Sequence, residues 1–282
     1  MMNYMLFPNG KNKALTLSYD DGVQQDIRFI EILDKYGIKC TFNVNSYSFE
    51  EDERSYAEGQ IHRRMARREA TQVYSRAIKN GHEVATHGYT HPFLEKLPAE
   101  MVSYEIVEDR RVLEEMFGAI VKGHAYPYGT TSGDVVNILR NCGILYARTT
   151  VSTKNFDVPT NWLLMPATCH HNAPDLMQLV DKFLNEVSRY PNPKLFYLWG
   201  HTYEFETNNN WDVIEKFADA IGNRDDVWYA NNMQIYEYVQ AYRSLEFSAN
   251  GNMVYNPTAL TVWFLSGNKN VKVEPGETVK IR

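Results

Sequence analysis

Leu15 to Gly22 reads LTLSYDDG: apolar residues alternate with small polar ones, and the run stops at two adjacent carboxylates and a glycine. The alternation is that of a β-strand. Asp20 and Asp21 then stand side by side at its carboxyl end, where like charges repel unless a cation or a shared proton offsets them. A division of labour resolves the conflict, with one Asp on a metal ion and the other kept as a base. Behind the strand, Val23 to Tyr36 carries Ile27, Ile30, Leu33 and Tyr36 on one helical stripe and stops at Gly37. The stretch is therefore the first half of a β-then-α unit, and the rest of the chain repeats it.

Further strands are expected at Ile38–Val44, Glu83–Thr86, Ile120–Tyr126, Ile144–Thr149, Lys194–Gly200 and Val227–Ala230, with a weaker one at Trp162–Pro166. Helices are expected at Met65–Asn80, Pro98–Phe117, Asp134–Asn141, Asp175–Tyr190, Trp211–Ile221 and Met233–Tyr242. Asn45 to Ile61, with its EEDER run, reads as a long loop or lid edge with a solvated charge cluster. Seven or eight β-then-α units in order imply an α/β fold, a closed or nearly closed parallel barrel with an open doubly wound sheet as runner-up. No glycine-rich phosphate loop follows any strand. After about residue 245, LTVWFL and VKVEPGETVKI look like short strands round a Pro-Gly turn. The expected division is a barrel over 1–244 and a small β extension over 245–282, packed on it.

The chain has 282 residues, 44% hydrophobic and 23% charged, enough to bury a large core without cross-links. Its net charge of −6 argues against nucleic acid as a partner. Cys40, Cys142 and Cys169 are odd in number and lack metal-type spacing, so they read as reduced thiols. No stretch approaches a membrane span, and MMNYMLFPNG lacks the marks of a signal peptide, so a cytoplasmic location is expected. The oligomeric state leaves no mark in the sequence. The 19 tyrosines and five tryptophans suit either an aromatic core or sugar-facing clefts.

His87 and His91, in THGYTHP, follow the third strand at a spacing that either one helical turn or a tight loop can converge. Pro127 and Tyr128 end the fourth strand, and His201 follows the seventh. In a parallel barrel all these positions face one mouth, where catalytic residues gather.

SYDDG, THGYTHP, AYPYG and LWGHT, in this order, resemble the motifs of the polysaccharide deacetylases, carbohydrate esterase family 4, over roughly Ala14 to His201. The resemblance implies a distorted (β/α) barrel that removes acetyl groups from an acetylated oligo- or polysaccharide with a divalent metal, most often zinc. It makes Asp21, His87 and His91 the ligands, Asp20 the general base and His201 the general acid. The Tyr128 backbone N–H then helps hold the oxyanion, and Tyr126, Pro127, Tyr128 and Trp162 line the substrate. Two neutral histidines and one carboxylate suit such a site, because they leave a divalent ion with open positions.

Two positions depart from the pattern. Ala125 stands where the family has an arginine that supports the base, and Asn161 where it has an aspartate that supports the acid. Glu204, His170 and His171 are the candidates to orient His201 instead. Two other readings stay open: a cyclic amide or imide hydrolase on the same barrel, and a carbohydrate-binding protein without activity.

Overall fold

The computed structural model describes residues 3–49, 51, 54–186 and 192–281. In chain order they form β1 (Asn3–Leu6), β2 (Lys13–Asp20), α1 (Gln25–Lys35), β3 (Cys40–Val44), α2 (Arg67–Lys79), β4 (Glu83–Thr86) and α3 (Ala99–Phe117). There follow β5 (Gly123–Ala125), α4 (Gly133–Asn141), β6 (Tyr146–Ser152), β7 (Met165–Ala167), β8 (Cys169–His170), α5 (Leu176–Asn185) and β9 (Lys194–His201). The chain continues through α6 (Tyr203–Thr207), α7 (Asp212–Ile221), β10 (Val227–Tyr229) and α8 (Asn232–Arg243). Short strands complete it: β11 (Glu246–Phe247), β12 (Met253–Tyr255), β13 (Val262–Ser266), β14 (Lys269–Val273) and β15 (Thr278–Lys280). The far end of the helix expected to reach Tyr190, and part of the EEDER run, lie outside the described residues.

All strands of the main sheet are parallel, in the order β7-β6-β5-β4-β3-β2-β9-β8, with β10 beside the first half of β2. The two ends of that order are consecutive in the chain. Met165–Ala167 pairs with β6, Cys169–His170 pairs with β9, and the Thr168 N–H between them donates to the Tyr197 carbonyl at 2.8 Å. One extended run thus carries the ladder from β6 round to β9, and the α/β fold is a distorted barrel of seven to eight strands rather than an open sheet. No described helix is long and apolar enough to cross a membrane.

The alternation in LTLSYDDG sorts β2 between two buried environments. Leu15, Leu17 and Tyr19 pack outward against Phe29, Ile30, Leu33 and Phe42 under the helices. Thr16, Ser18 and Asp20 point into the barrel, where burial is tolerated only with hydrogen bonds. Thr16 Oγ1 donates to Asn232 Oδ1 at 2.8 Å, and Asn232 Nδ2 donates to the Tyr197 hydroxyl at 2.8 Å. Asn43 Nδ2 donates to Ser18 Oγ at 2.7 Å and to Asp20 Oδ1 at 2.8 Å. The small polar residues are therefore an internal network, not a solvent face.

The amino end of the barrel is plugged by the start of α8, fixed by a capping box between Asn231 and Gln234. Glu83 receives this helix: it accepts from Met233 N–H at 3.0 Å, the Thr41 hydroxyl at 2.8 Å and the Tyr146 hydroxyl at 2.8 Å. Burial pushes its carboxyl up to about 7 despite these three bonds, which favour the charged form. An unfolded glutamate titrates near ~4.3, so between there and 7 the folded chain holds a proton that the unfolded chain has released. This group's contribution to stability is therefore greatest at low pH and declines as pH rises towards 7. Glu83→Gln removes the slope, and the melting temperature of the variant minus that of the wild type rises between about pH 5 and about pH 8. A difference constant with pH would mean that Glu83 ionises alike in both states.

The C-terminal strands form two small sheets, and one of them recruits the other end of the chain. β13 pairs antiparallel with both β14 and β1, so Asn3–Leu6 lies beside Val262–Ser266. The Tyr238 hydroxyl of α8 ties the pair to the barrel, donating to the Leu6 carbonyl at 2.7 Å and accepting from Trp263 N–H at 3.0 Å.

Candidate functional site

β2 ends at Asp20, and the backbone turns at once through positive φ, 86° at Asp21 and 68° at Gly22. Aspartate tolerates that region better than most residues, and Gly22 is required there. A Cβ on Gly22 would stand 3.1 Å from Phe49 and 3.3 Å from Val44. The turn sends the two carboxylates to different partners. Asp20 is 2% exposed and takes Asn43 on Oδ1 and the guanidinium of Arg148 on Oδ2. Asp21 takes Arg64 on Oδ1 at 3.2 Å and His62 on Oδ2 at 3.3 Å. Burial works against both charges, but Arg148 with the nearby His87 and His201 outweighs it at Asp20, and the His62 contact with Arg64 does so at Asp21, so both carboxyls lie below the usual range.

THGYTHP converges as a tight loop. Asn45 Nδ2 donates to the His87 carbonyl at 2.6 Å and the Gly88 carbonyl at 2.8 Å. Two acids one turn apart on α3 hold the loop from behind. Asp109 accepts from His87 N–H at 2.9 Å and Ser46 N–H at 2.8 Å, and Glu105 accepts from Thr90 N–H and its hydroxyl, both at 2.8 Å.

His87 Nδ1 lies 2.8 Å from the Ala125 carbonyl, which can only accept, so Nδ1 carries the proton and Nε2 keeps its lone pair. That Nε2 is 4.0 Å from Asp21 Oδ1, and His91 Nε2 is 3.8 Å from the same oxygen. Ligand atoms of Asp21, His87 and His91 all lie within 4.8 Å of one another. Burial lowers both imidazoles, His91 to about 4, which keeps their nitrogens unprotonated at neutral pH as ligation requires. The three residues singled out as ligands thus meet and fit a divalent ion.

His201 ends β9, directly opposite Asp20 in the ladder, with Nε2 3.8 Å from Asp20 Oδ2. Its Nδ1 faces Glu204 Oε1 at 3.3 Å. Burial alone would lower this imidazole, but Glu204, Asp20 and Asp21 together raise it above its usual value.

Of the four residues expected to line the substrate, the structure leaves only Tyr128 in the open. Tyr128 is 54% exposed, sits at φ 59°, stacks on Phe93 at 3.9 Å and stands 4.5 Å from the His91 ring. Tyr126 is buried instead, its hydroxyl donating to the Leu163 carbonyl at 2.7 Å. Pro127 is buried against Gly88 of the histidine loop. Trp162 belongs to the core with Tyr197 and Ile235, 8% exposed and perpendicular to the Tyr236 ring of α8 at 5.1 Å, so it offers no face to a sugar. Asn161 lines a separate cavity with Asp157, Pro159 and Tyr197.

Arg148 was not foreseen. It lies on β6 in register with Ala125 of β5, so the two side chains share one face of the barrel at one height. Its guanidinium reaches Asp20 and lies over the Trp199 ring at 4.6 Å. The available signal was an arginine inside an otherwise apolar strand, ILYART, since a charge there is buried only with a partner. Arg64 and His62, from the loop before α2, were also missed.

A family model for polysaccharide deacetylases matches residues 8–147, a span that holds Asp20, Asp21, His87, His91 and Tyr128 but stops before Arg148 and His201. Over 81 residues, 28% of this chain, the sequence is 27% identical to a chitooligosaccharide deacetylase of Azorhizobium caulinodans, and the match spans 39% of that relative's length. A protein of Mycobacterium smegmatis assigned as a polysaccharide deacetylase has the same fold, with a TM-score of 0.60 at 18% identity over 85% of this chain and 94% of that one. A CE4 family pseudoenzyme from Bacillus anthracis is similar over 83% of this chain and 68% of its own, with a TM-score of 0.50 at 18% identity.

Proposed function

Since the chain belongs to the polysaccharide deacetylase family, we propose that it hydrolyses acetyl groups from an acetylated oligo- or polysaccharide with the help of a divalent metal, zinc being the first choice. The observation that carries this reading is the convergence of Asp21, His87 and His91 beside a buried Asp20–Arg148 pair. Asp21, His87 and His91 are the residues that would hold the ion. Bound there, a divalent ion would supply Lewis acidity for the acetyl carbonyl and lower the pKa of a water towards neutrality.

Asp20, kept ionised by Arg148, accepts the proton of the attacking water through Oδ2. The Tyr128 N–H donates to the oxygen on which charge develops, a contribution of typically ~10²–10³ in rate for one such donor. His201 gives the Nε2 proton to the departing sugar nitrogen or oxygen. An amide and an ester pass through the same tetrahedral stage, so both linkages suit this set of groups. Arg148 also weighs against an inactive carbohydrate binder, because it supplies the base with the cation that Ala125 cannot.

Metal analysis of the purified chain finds about one divalent ion per molecule. A chelator abolishes acetate release from acetylated oligosaccharides, added zinc restores it, and His87→Ala neither binds the ion nor recovers. A chain that takes up no divalent ion after zinc loading would sink the proposal.

A further inference from the structure

Outside Asp21–His87–His91, one other group of metal-type ligands converges among the described residues: His170, His171 and Glu204. Its proton arrangement does not suit a cation. His170 Nδ1 accepts the Asn172 N–H at 3.1 Å, so the ring proton sits on Nε2, which lies 3.2 Å from Glu204 Oε2. A protonated nitrogen has no lone pair to give a metal.

His171 makes the same choice for a different reason. Its ring is fully buried, parallel to Tyr19 and stacked on Phe205 at 4.2 Å. Burial holds it neutral, with its pKa lowered to about 4, so it carries a single proton. Nδ1 is pressed against Gly200, where a Cβ would stand 2.0 Å from it, and Nε2 is 3.1 Å from Glu204 Oε2. Neither ring nitrogen makes an aligned hydrogen bond, but Glu204 Oε2 is the one acceptor within ion-pair distance, and it faces Nε2, which places the proton there.

We propose that Glu204, held within 3.2 Å of the Nε2 atoms of both His170 and His171, is the positioning residue that fixes the tautomer and aim of His201. Oε2 faces those two nitrogens and accepts from Asn172 Nδ2 at 3.4 Å, which leaves Oε1 3.3 Å from His201 Nδ1, a buried nitrogen with no aligned hydrogen bond and no other acceptor at hand. With one proton held on Nδ1 towards this carboxylate, the second proton of the imidazolium sits on Nε2, which points at Asp20 Oδ2 and the metal ligands; that second proton is the one given to the leaving group, and the ring is left neutral with its proton on Nδ1. Glu204 lies three residues beyond His201, on the first turn of α6, so one short segment sets the spacing of the pair. Gly200 is part of the device, since any side chain there would expel the His171 ring.

That His201 acts as an acid rests on the deacetylase reading; that Glu204 sets its tautomer does not. The test uses the full chain and Glu204→Gln, with two readouts. The first is acetate release from N-acetylglucosamine oligomers or O-acetylated xylooligosaccharides, whichever the wild type cleaves, set against 4-nitrophenyl acetate. An aryl leaving group departs without a proton, so losing an aligned acid lowers kcat on the sugar by about 10²-fold or more, with KM nearly unchanged, and on the aryl ester by about threefold at most. The second is the imidazole ¹⁵N spectrum, in which His201 is Nδ1-protonated in the wild type and shifts towards the other tautomer in the variant. His170→Gln gives a smaller loss with the same substrate selectivity. Equal losses on both substrates, or an unchanged His201 tautomer in Glu204→Gln, overturn the proposal. If the wild type releases no acetate from any substrate, the deacetylase reading fails and the ¹⁵N result alone decides the role of Glu204.

Discussion

Arg148→Ala lowers stability by about 3–5 kcal/mol and acetate release at neutral pH by about 10²-fold, and adding Ala125→Arg returns a large part of both. Arg148 is 1% exposed and Asp20 2%, so removing the guanidinium strands a carboxylate that burial alone would drive towards its neutral form. Among the groups that hold Asp20 ionised, Arg148 is the strongest. Without it the carboxyl titrates higher, and a proton occupies the base at pH values where the wild type is active. Activity of the variant therefore recovers as pH rises, which a merely misfolded site would not do. The second substitution tests the geometry. Ala125 and Arg148 are direct neighbours in the ladder, so an arginine from β5 enters the space vacated on β6 and approaches the same carboxylate. Unchanged stability and an unchanged pH profile in Arg148→Ala would refute a supporting role for the pair.

This cation marks the boundary of what local sequence can tell. The order of strands and helices follows from periodicity, and so does the gathering of Asp20, Asp21, His87, His91 and His201 at one end, because parallel strands all deliver their carboxyl ends to one mouth. Glu204 was legible as one of three candidates to orient His201, since it stands three residues further along the chain, but that its Oε1 faces Nδ1 was not. Arg148 required the register between β5 and β6, a relation between separate segments on which no spacing within either segment reports. Trp162 was misplaced for a similar reason. Its position in the chain suggests the mouth, but the ring is buried among side chains of β9 and α8, Tyr197, Ile235 and Tyr236. Asn3–Leu6 shows the same limit, since its partner strand lies at the far end of the sequence. The alternation of β2 was read correctly as a strand. Its polar face turned out to be interior, which periodicity cannot separate from a solvent face, because both repeat every second residue.

The two carboxylates of LTLSYDDG separate by substitution. Asp20→Asn reduces acetate release by about 10³-fold or more and leaves divalent-ion affinity within about tenfold of the wild type, whereas Asp21→Asn loses the ion first and activity with it. The split follows from their partners. Asp21 is the carboxylate that shares a 4.8 Å neighbourhood with both His87 and His91, and its own neighbour Arg64 balances its charge from outside that set. Asp20 points inward and is committed to Asn43 and Arg148, so an uncharged isostere keeps an oxygen for the guanidinium but has little basicity with which to take a proton from water. Calorimetric zinc titration of both variants, run beside acetate release, reads the two roles independently. Loss of zinc binding in Asp20→Asn makes both carboxylates ligands and leaves the base to be found elsewhere; turnover preserved in Asp20→Asn with zinc bound removes Asp20 from the chemistry altogether.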